Sequence, residues 1–287
     1  MSVDEVRDLL LKNARRESGP DGDSYHSLLF ADSLSLARRL KLSRRDLEIA
    51  ALEAGIIPER YRSNRDLLGT GGQLKLLRSR VGILGAGGLG GYAVELLARL
   101  GVGSLVVIDD DSFTAGNLNR QLHAVEQTLG AGKAELAVRR VREVNGAVEA
   151  EAHRCRGDAL NLPRLLQGCD LVLDCLDNLP SRFVLEEACQ KLKIPLVHGA
   201  VDGFMGQVAV VRPGEPLLAT IYGRRDRQGL RRKAPGGVLS FTAALVAARQ
   251  TAEAVKLLAG LDSSVETGLL LIDLHAGEVA RIALTPG

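Results

Sequence analysis

Apolar residues along the chain follow two patterns. Short, almost wholly apolar runs alternate with longer stretches in which apolar residues return every third or fourth position. The first pattern predicts strands buried on both faces, as in a parallel sheet, and the second predicts amphipathic helices. Val81 to Leu84, Leu105 to Ile108, Val148 to His153, Leu171 to Leu173, Leu196 to His198 and Gly206 to Val211 read as strands. Leu89, Ala93, Leu96, Leu97 and Leu100 mark a helix that Gly101 and Gly103 end, and Ala134, Val138 and Val141 mark another running to Asn145. Further helices are predicted near Leu160 to Gln167, over Pro180 to Lys193 and over Leu239 to Leu258. Leu269 to Asp273 and Val279 to Leu284 close the chain as strands, in the manner of a hairpin.

Residues 1–59 differ in character. Val6, Leu9 and Leu10 predict a short helix, broken by Ser18-Gly19-Pro20-Asp21-Gly22. Leu28, Leu29, Leu34, Leu36 and Leu40 predict a second, and Ser43 with Asp46 resembles a capping box opening a third, through Ala54-Gly55. We read 1–59 as a small helical N-terminal extension packed over a main domain at 60–287, with partner docking as the alternative. Inside the main domain, 213–238 reads as a long loop rich in Pro and Gly, a functional signal within a compact domain. Its stretch Arg224 to Lys233 carries six basic residues and one acid, a local +5 on a chain of net charge +2.

Chemistry concentrates where the first two strands of the main domain meet the first helix. Gly85-Ala86-Gly87-Gly88-Leu89-Gly90 fits G-x-G-x-x-G, follows a strand, opens a helix, and is followed by Asp109 at the end of the next strand. Glycines there let backbone approach a phosphate, the helix N-terminus attracts its charge, and the acid can accept from ribose hydroxyls. This unit predicts a Rossmann-like, mostly parallel sheet with helices on both faces, antiparallel strands at the C-terminal end, and a bound nucleotide. Asn117-Leu118-Asn119-Arg120-Gln121 comes soon after the second strand, at the edge where ligands of such sheets bind, and Arg120 can neutralise phosphate charge. Lys133 opens a helix after Gly130-Ala131-Gly132, but the spacing is not that of a Walker A loop. Asp174-Cys175-Leu176-Asp177-Asn178 ends the fourth strand: Asn178 suits an N-cap for the Pro180 helix, and Asp177 facing a phosphate makes sense with magnesium between them.

Composition narrows the classes. A net charge of +2 over 287 residues argues against a generally basic nucleic-acid binder. Cys155, Cys169, Cys175 and Cys189 form no C-x-x-C pair, so no zinc site or disulfide framework is expected. Met1 to Glu5 lacks a basic segment followed by an apolar core, and the apolar Leu239 to Leu258 helix carries Arg249, Glu253 and Lys256. We therefore expect a reduced, cytoplasmic chain with no membrane span.

Together, G-A-G-G-L-G, the acids Asp109 to Asp111, N-L-N-R-Q, Gly132-Lys133, D-C-L-D-N, Gly199-Ala200 and Gly206-Gln207-Val208 resemble the ThiF/MoeB/HesA family, bacterial relatives of ubiquitin-activating enzymes. The resemblance runs from about residue 60 to the end. It implies adenylation, with ATP·Mg, of the C-terminal glycine of a small ubiquitin-fold carrier ending in Gly-Gly, often a sulfur carrier of molybdopterin or thiamine biosynthesis. It implies that Asp109 holds the ribose, that Arg120 and Lys133 meet the phosphates, that Asp177 sits by the magnesium and that Asn117 lies near the phosphates. Gly85, Gly87, Gly88 and Gly90, with Asp111, Gln121 and Asn178, complete the implied nucleotide contacts. It further implies a homodimer in which Arg65 reaches the partner subunit's phosphates, with Arg60 and Arg62 as rivals for that part. The family's two C-x-x-C zinc pairs are missing, as is a cysteine in 213–238, where some relatives bond their carrier covalently.

Three other readings stay open at this point. An NAD-dependent oxidoreductase would use the same glycine turn and Asp109, but leaves Arg120 and Lys133 without a task. An inactive scaffold subunit would have lost phosphate-site residues that this chain keeps. A third keeps the adenylation chemistry and changes the acceptor to a peptide or a modified tRNA base.

Overall fold

The computed structural model describes residues 3–20, 22–223, 237–263, 265 and 268–284. The arginine-rich run 224–233 therefore lies outside the described residues.

The first unit holds the three helices expected, α1 (Val3–Asn13), α2 (Phe30–Leu40) and α3 (Arg44–Glu53). Ser43 caps α3, its Oγ accepting from the Asp46 N–H at 3.0 Å. The unit also contains a three-stranded sheet, so the extension is mixed α/β and not purely helical. The strands β1 (Arg15–Ser18), β2 (Ser24–Leu28) and β3 (Ile56–Pro58) lie in that order, the first pair antiparallel and the second parallel. β1 reads Arg-Arg-Glu-Ser with no apolar face, so no alternation announces it. Leu10, Leu28, Leu36, Leu47, Ala51 and Ile56 make the unit's own core.

A 3-10 turn (Glu59–Asn64) and α4 (Arg65–Arg78) carry the chain into the main sheet. Here the junction is locked by polar contacts. Tyr61, buried against Gly101, donates to Glu48 Oε2 and accepts from Asn145 Nδ2, each at 3.0 Å. Arg45 donates to the Leu77 carbonyl at 3.1 Å and pairs with Glu149 at 3.0 Å.

The main sheet is built from β4 (Arg80–Leu84), α5 (Gly88–Leu100), β5 (Ser104–Ile108), α6 (Lys133–Val144), β6 (Glu149–His153), α7 (Leu162–Leu165), β7 (Leu171–Asp174), α8 (Leu179–Leu192) and β8 (Leu196–Asp202). It continues through β9 (Met205–Val211), α9 (Leu218–Tyr222), α10 (Ser240–Ala259), β10 (Gly268–Asp273) and β11 (Glu278–Ala283). Its order is β11-β10-β9-β8-β7-β4-β5-β6. The strands from β6 to β8 are parallel, and β9, β10 and β11 are added antiparallel. The continuous apolar runs are explained by burial on both faces. Val81, Ile83, Leu105, Val107, Leu171 and Leu173 join one core with α5, α6 and α10, while Val106, Ile108 and Val172 join another with α7 and α8.

Residues 213–238, expected as one loop, contain α9. Its start is fixed by Glu186 on α8, whose Oε1 accepts from the N–H groups of Leu217 and Leu218 at 2.7 and 2.9 Å. No helix among the described residues is long and apolar enough to cross a membrane.

Candidate nucleotide and adenylation site

From β4 the chain turns outward to β5 on one side and to β7 on the other, so the sheet order reverses at β4. That reversal opens the crevice at strand carboxyl ends where open α/β sheets hold ligands. The glycine turn lies there for steric reasons that can be stated atom by atom. Gly85 has φ +92°, and a Cβ on it would stand 2.7 Å from the Cys175 carbonyl oxygen at the end of β7. A Cβ on Gly90 would stand 1.8 Å from the Gly85 oxygen, so α5 can press against β4 only with glycine in its first turn. The first-turn N–H groups of α5 lack intrahelical partners and face the crevice end of the helix.

Asp109 spans this turn from β5. Its Oδ2 accepts from Ala86 N–H at 2.6 Å and its Oδ1 from Asp111 N–H at 2.8 Å. Burial raises its pKa above the ordinary carboxylate value, although both N–H bonds pull the other way. Each oxygen keeps a lone pair for a ribose hydroxyl. Lys133, buried at the start of α6, pairs with Asp111 Oδ2 at 2.8 Å. The carboxylates of Asp109, Asp110 and Asp111 cluster within 4.8 Å of one another, the one such acidic or metal-ligating group among the described residues.

The N-L-N-R-Q segment packs over the glycines. Gln121 is buried, its amide close to the position a Gly87 Cβ would take, and its Oε1 has no hydrogen-bond partner among the described residues. Such an orphaned acceptor beside a phosphate-type turn fits a site meant to receive a donor-bearing ligand. Arg120 lies against Gly88 and is half-buried, its Nη1 donating to Gly116 O and Asn119 Oδ1, both at 2.8 Å. Asn117 is engaged locally, its Oδ1 accepting from the Thr114 N–H and hydroxyl at 3.0 and 3.2 Å. Asn119 Nδ2 donates to Val238 O at 3.0 Å, tying this segment to the chain just beyond the arginine-rich run.

At the end of β7, Asn178 caps α8, its Oδ1 accepting from Ser181 N–H at 3.0 Å, as the sequence suggests. Asp177 is exposed and accepts at Oδ1 from Asn178 Nδ2 at 3.2 Å. Cys175 packs inward, and burial pushes its thiol far above the ordinary range, so it offers no thiolate. The fold thus gathers Gly85, Gly87, Gly88, Gly90, Asp109, Asp111, Arg120, Gln121, Lys133 and Asp177 around one crevice. Arg65 is placed elsewhere. It pairs with Asp23 and Asp66 at 2.5 and 2.6 Å and stacks on Tyr25, at the junction with the N-terminal unit.

Beneath Asp177 lies a buried polar cluster that sequence inspection missed. Asp174 Oδ2 is 2.7 Å from His198 Nδ1 and 3.4 Å from Arg182 Nη1, and His198 Nε2 is 2.9 Å from the Tyr222 hydroxyl. Gln207 Nε2 also donates to that hydroxyl. Burial alone would raise the Asp174 pKa, but the Arg182 charge and the His198 hydrogen bond outweigh it and hold the carboxyl below its usual value. Burial, then the Arg182 charge, lower that of His198 and keep the imidazole neutral. The available signal was polar residues in apolar settings: Arg182 and Glu186 one turn apart on α8, and His198 directly after the apolar Leu196-Val197.

The sequence profile of the ThiF family matches residues 61–286. Among curated relatives, SAMP-activating enzyme E1 of Haloferax volcanii is 39% identical over 209 residues, 72% of this chain and 77% of its own. Adenylyltransferase and sulfurtransferase MOCS3 of Mus musculus is 36% identical over 220 residues, 76% of this chain and 48% of its own. The chain thus spans about half the length of such MOCS3 relatives. Among solved structures, E. coli MccB with ATP superimposes with a TM-score of 0.68 at 19% identity, covering 89% of this chain and 83% of that one. The tRNA N6-threonylcarbamoyladenosine dehydratase TcdA of E. coli gives 0.60 at 23% identity, covering 70% and 95%. Both structural likenesses concern the fold.

Proposed function

The chain belongs to the ThiF family of E1-like adenylyltransferases, and from that premise we propose that it adenylates the C-terminal glycine of a small ubiquitin-fold carrier with ATP·Mg, releasing pyrophosphate. Family membership removes the oxidoreductase alternative. The observation that carries the reading further is the convergence of the glycine turn, Arg120, Asp177 and the Asp109–Asp111–Lys133 chain of contacts at one sheet edge. The Haloferax relative, named for activating SAMP, supports a protein acceptor.

The chemistry asks little proton transfer of the enzyme. A terminal carboxylate is already ionised at neutral pH, so its attack on the α-phosphorus needs no general base. What opposes the reaction is repulsion between anions and the charge of the departing pyrophosphate. Asp109 would accept from the ribose hydroxyls while its own N–H bonds hold it in place. The Gln121 amide would close over the nucleotide. Arg120, held among the described residues by the local acceptors Gly116 O and Asn119 Oδ1, can turn to the phosphates. Lys133 would exchange part of its contact with Asp111 for phosphate oxygen. Asp177, with hard oxygen donors facing solvent, is the residue fitted to hold magnesium, which when bound would offset phosphate charge. In a homodimer an Arg65 acting across the interface would share its charge with Asp23 and Asp66, which pair with it within the chain.

Labelled pyrophosphate exchange into ATP tests the reading. Exchange should require a Gly-Gly-ended carrier. Nucleotide binding with no exchange for any carrier offered would favour the inactive-scaffold alternative.

A further inference from the structure

The turn that carries Asp177 is held at successive backbone groups. The Asp174 carbonyl accepts from Gln250 Nε2 at 2.9 Å, and Cys175 N–H donates to the Leu84 carbonyl at 3.0 Å. Leu176 N–H donates to Asp174 Oδ1 at 3.1 Å, and the Leu176 carbonyl accepts from Arg182 Nη2. Both polar groups of Leu176, the residue before Asp177, are therefore bound by one buried ion pair. Arg182 Nη1 reaches on to the Gly199 carbonyl at 2.8 Å, so the guanidinium spans from the turn to β8. The Cys175 carbonyl is also the atom against which Gly85 packs, so the turn's placement bears on the glycine turn too.

His198 completes the support. A carboxylate can only accept, so the neutral ring is assigned its hydrogen on Nδ1, 2.7 Å from Asp174, which leaves Nε2 to accept from the Tyr222 hydroxyl. Burial pushes the Tyr222 phenol up to about 12, so it stays protonated and can donate. The cluster resembles a catalytic triad in outline, but its outer member is a proton donor to the ring and no nucleophile. Its reach ends at backbone, and that backbone belongs to the turn bearing Asp177.

We propose that Arg182, supported by His198, is a positioning residue of the adenylation site: through the Leu176 peptide it fixes where the Asp177 carboxylate stands. This rests on the reading above, in which Asp177 holds the metal of the ATP complex. A buried ion pair is a weak device for stability, whereas a planar guanidinium bridging two carbonyls and a carboxylate is a strong one for geometry. Lysine cannot span those acceptors at once.

A double-mutant cycle on binding, not turnover, tests it. Dissociation constants for Mn2+ with ATP would be read by electron paramagnetic resonance for wild type, Arg182→Lys, Asp177→Ala and the pair, with thermal melts confirming each fold. Arg182→Lys should weaken metal–nucleotide binding about tenfold, the size seen when partners behind a ligand are changed, and should add nothing once Asp177 is alanine. An equal loss in both backgrounds, or none in either, would overturn the proposal. If Arg182→Lys does not fold, Tyr222→Phe serves in its place, with a smaller loss that again depends on Asp177. Asp177→Ala binding as tightly as wild type would overturn the metal assignment and this inference together. Carrier-dependent exchange failing while the coupling persists would contradict only the acceptor.

Discussion

Asp174 and Asp177 sit three positions apart on one turn and do opposite work. Asp174 is wholly buried, with partners on both oxygens and a charge held by Arg182 and His198. Asp177 is exposed and, among the described residues, has one side-chain hydrogen-bond partner, Asn178. A residue whose every bond is satisfied by the protein can fix geometry, and one with open lone pairs can meet a ligand. The turn separates these tasks, so stability and activity should respond to different substitutions.

The largest effect expected is on stability, from Asp174→Ala. It leaves Arg182 buried without its counter-charge and should cost about 3–5 kcal/mol, measured by urea denaturation. A loss near that of an ordinary surface change would show that the cluster is not the anchor described. Next comes Asp177→Ala, and Arg120→Ala with it. Each should leave stability within about 0.5 kcal/mol, as for surface positions. Each should nevertheless lower pyrophosphate exchange by about 3 kcal/mol or more, on the order of a hundredfold. Near-normal exchange in either variant would remove that residue from the site.

A smaller effect should come with pH. The folded-state pKa of His198 is depressed, by burial first and by Arg182 second. Its contribution to stability is complete above its unfolded value, 6.5, and is lost as pH falls through the folded value. Asp174 is depressed as well, and its contribution disappears lower, below 3.8. Glu48, in the N-terminal unit, is raised by burial and slopes the other way, its contribution lost as pH rises through its raised value. Melting temperature should therefore begin to fall below about pH 6.5, less steeply in His198→Asn, which keeps a donor to Asp174 but cannot titrate. His123, also depressed by burial, should leave some slope. An unchanged slope in His198→Asn would mean that His198 is not held neutral by its surroundings. Smallest of all, Asn178→Ala removes the cap of α8 and should cost about 1 kcal/mol, read by the same denaturation.

The same contrast explains what the sequence made visible. The glycine turn, Asp109, Arg120 and Asp177 stand in short local motifs, because a ligand edge is built from strand ends and the loops beside them. The sheet was visible because Leu105 to Ile108 and Leu171 to Leu173 are buried on both faces. Arg182, His198, Gln207 and Tyr222 lie on four separate elements that only the sheet brings together, so no spacing announces them. β1 was hidden because Arg15 to Ser18 carries no apolar face, and α9 because Glu186, far away in sequence, supplies its capping acceptor. The pairing of Arg65 with Asp23 was not legible either, because Asp23 lies in a part of the chain the motif does not reach.

Under the proposed function, this sheet edge transfers an adenylyl group to the end of a carrier protein. Intact-mass spectrometry of a Gly-Gly-ended carrier, after incubation with the enzyme, magnesium and ATP, tests it most directly. A carrier species heavier by one adenylyl group should appear with wild-type enzyme, be absent with Asp177→Ala and be lost on hydroxylamine treatment. A carrier of unchanged mass beside an enzyme that consumes ATP and releases pyrophosphate would contradict it.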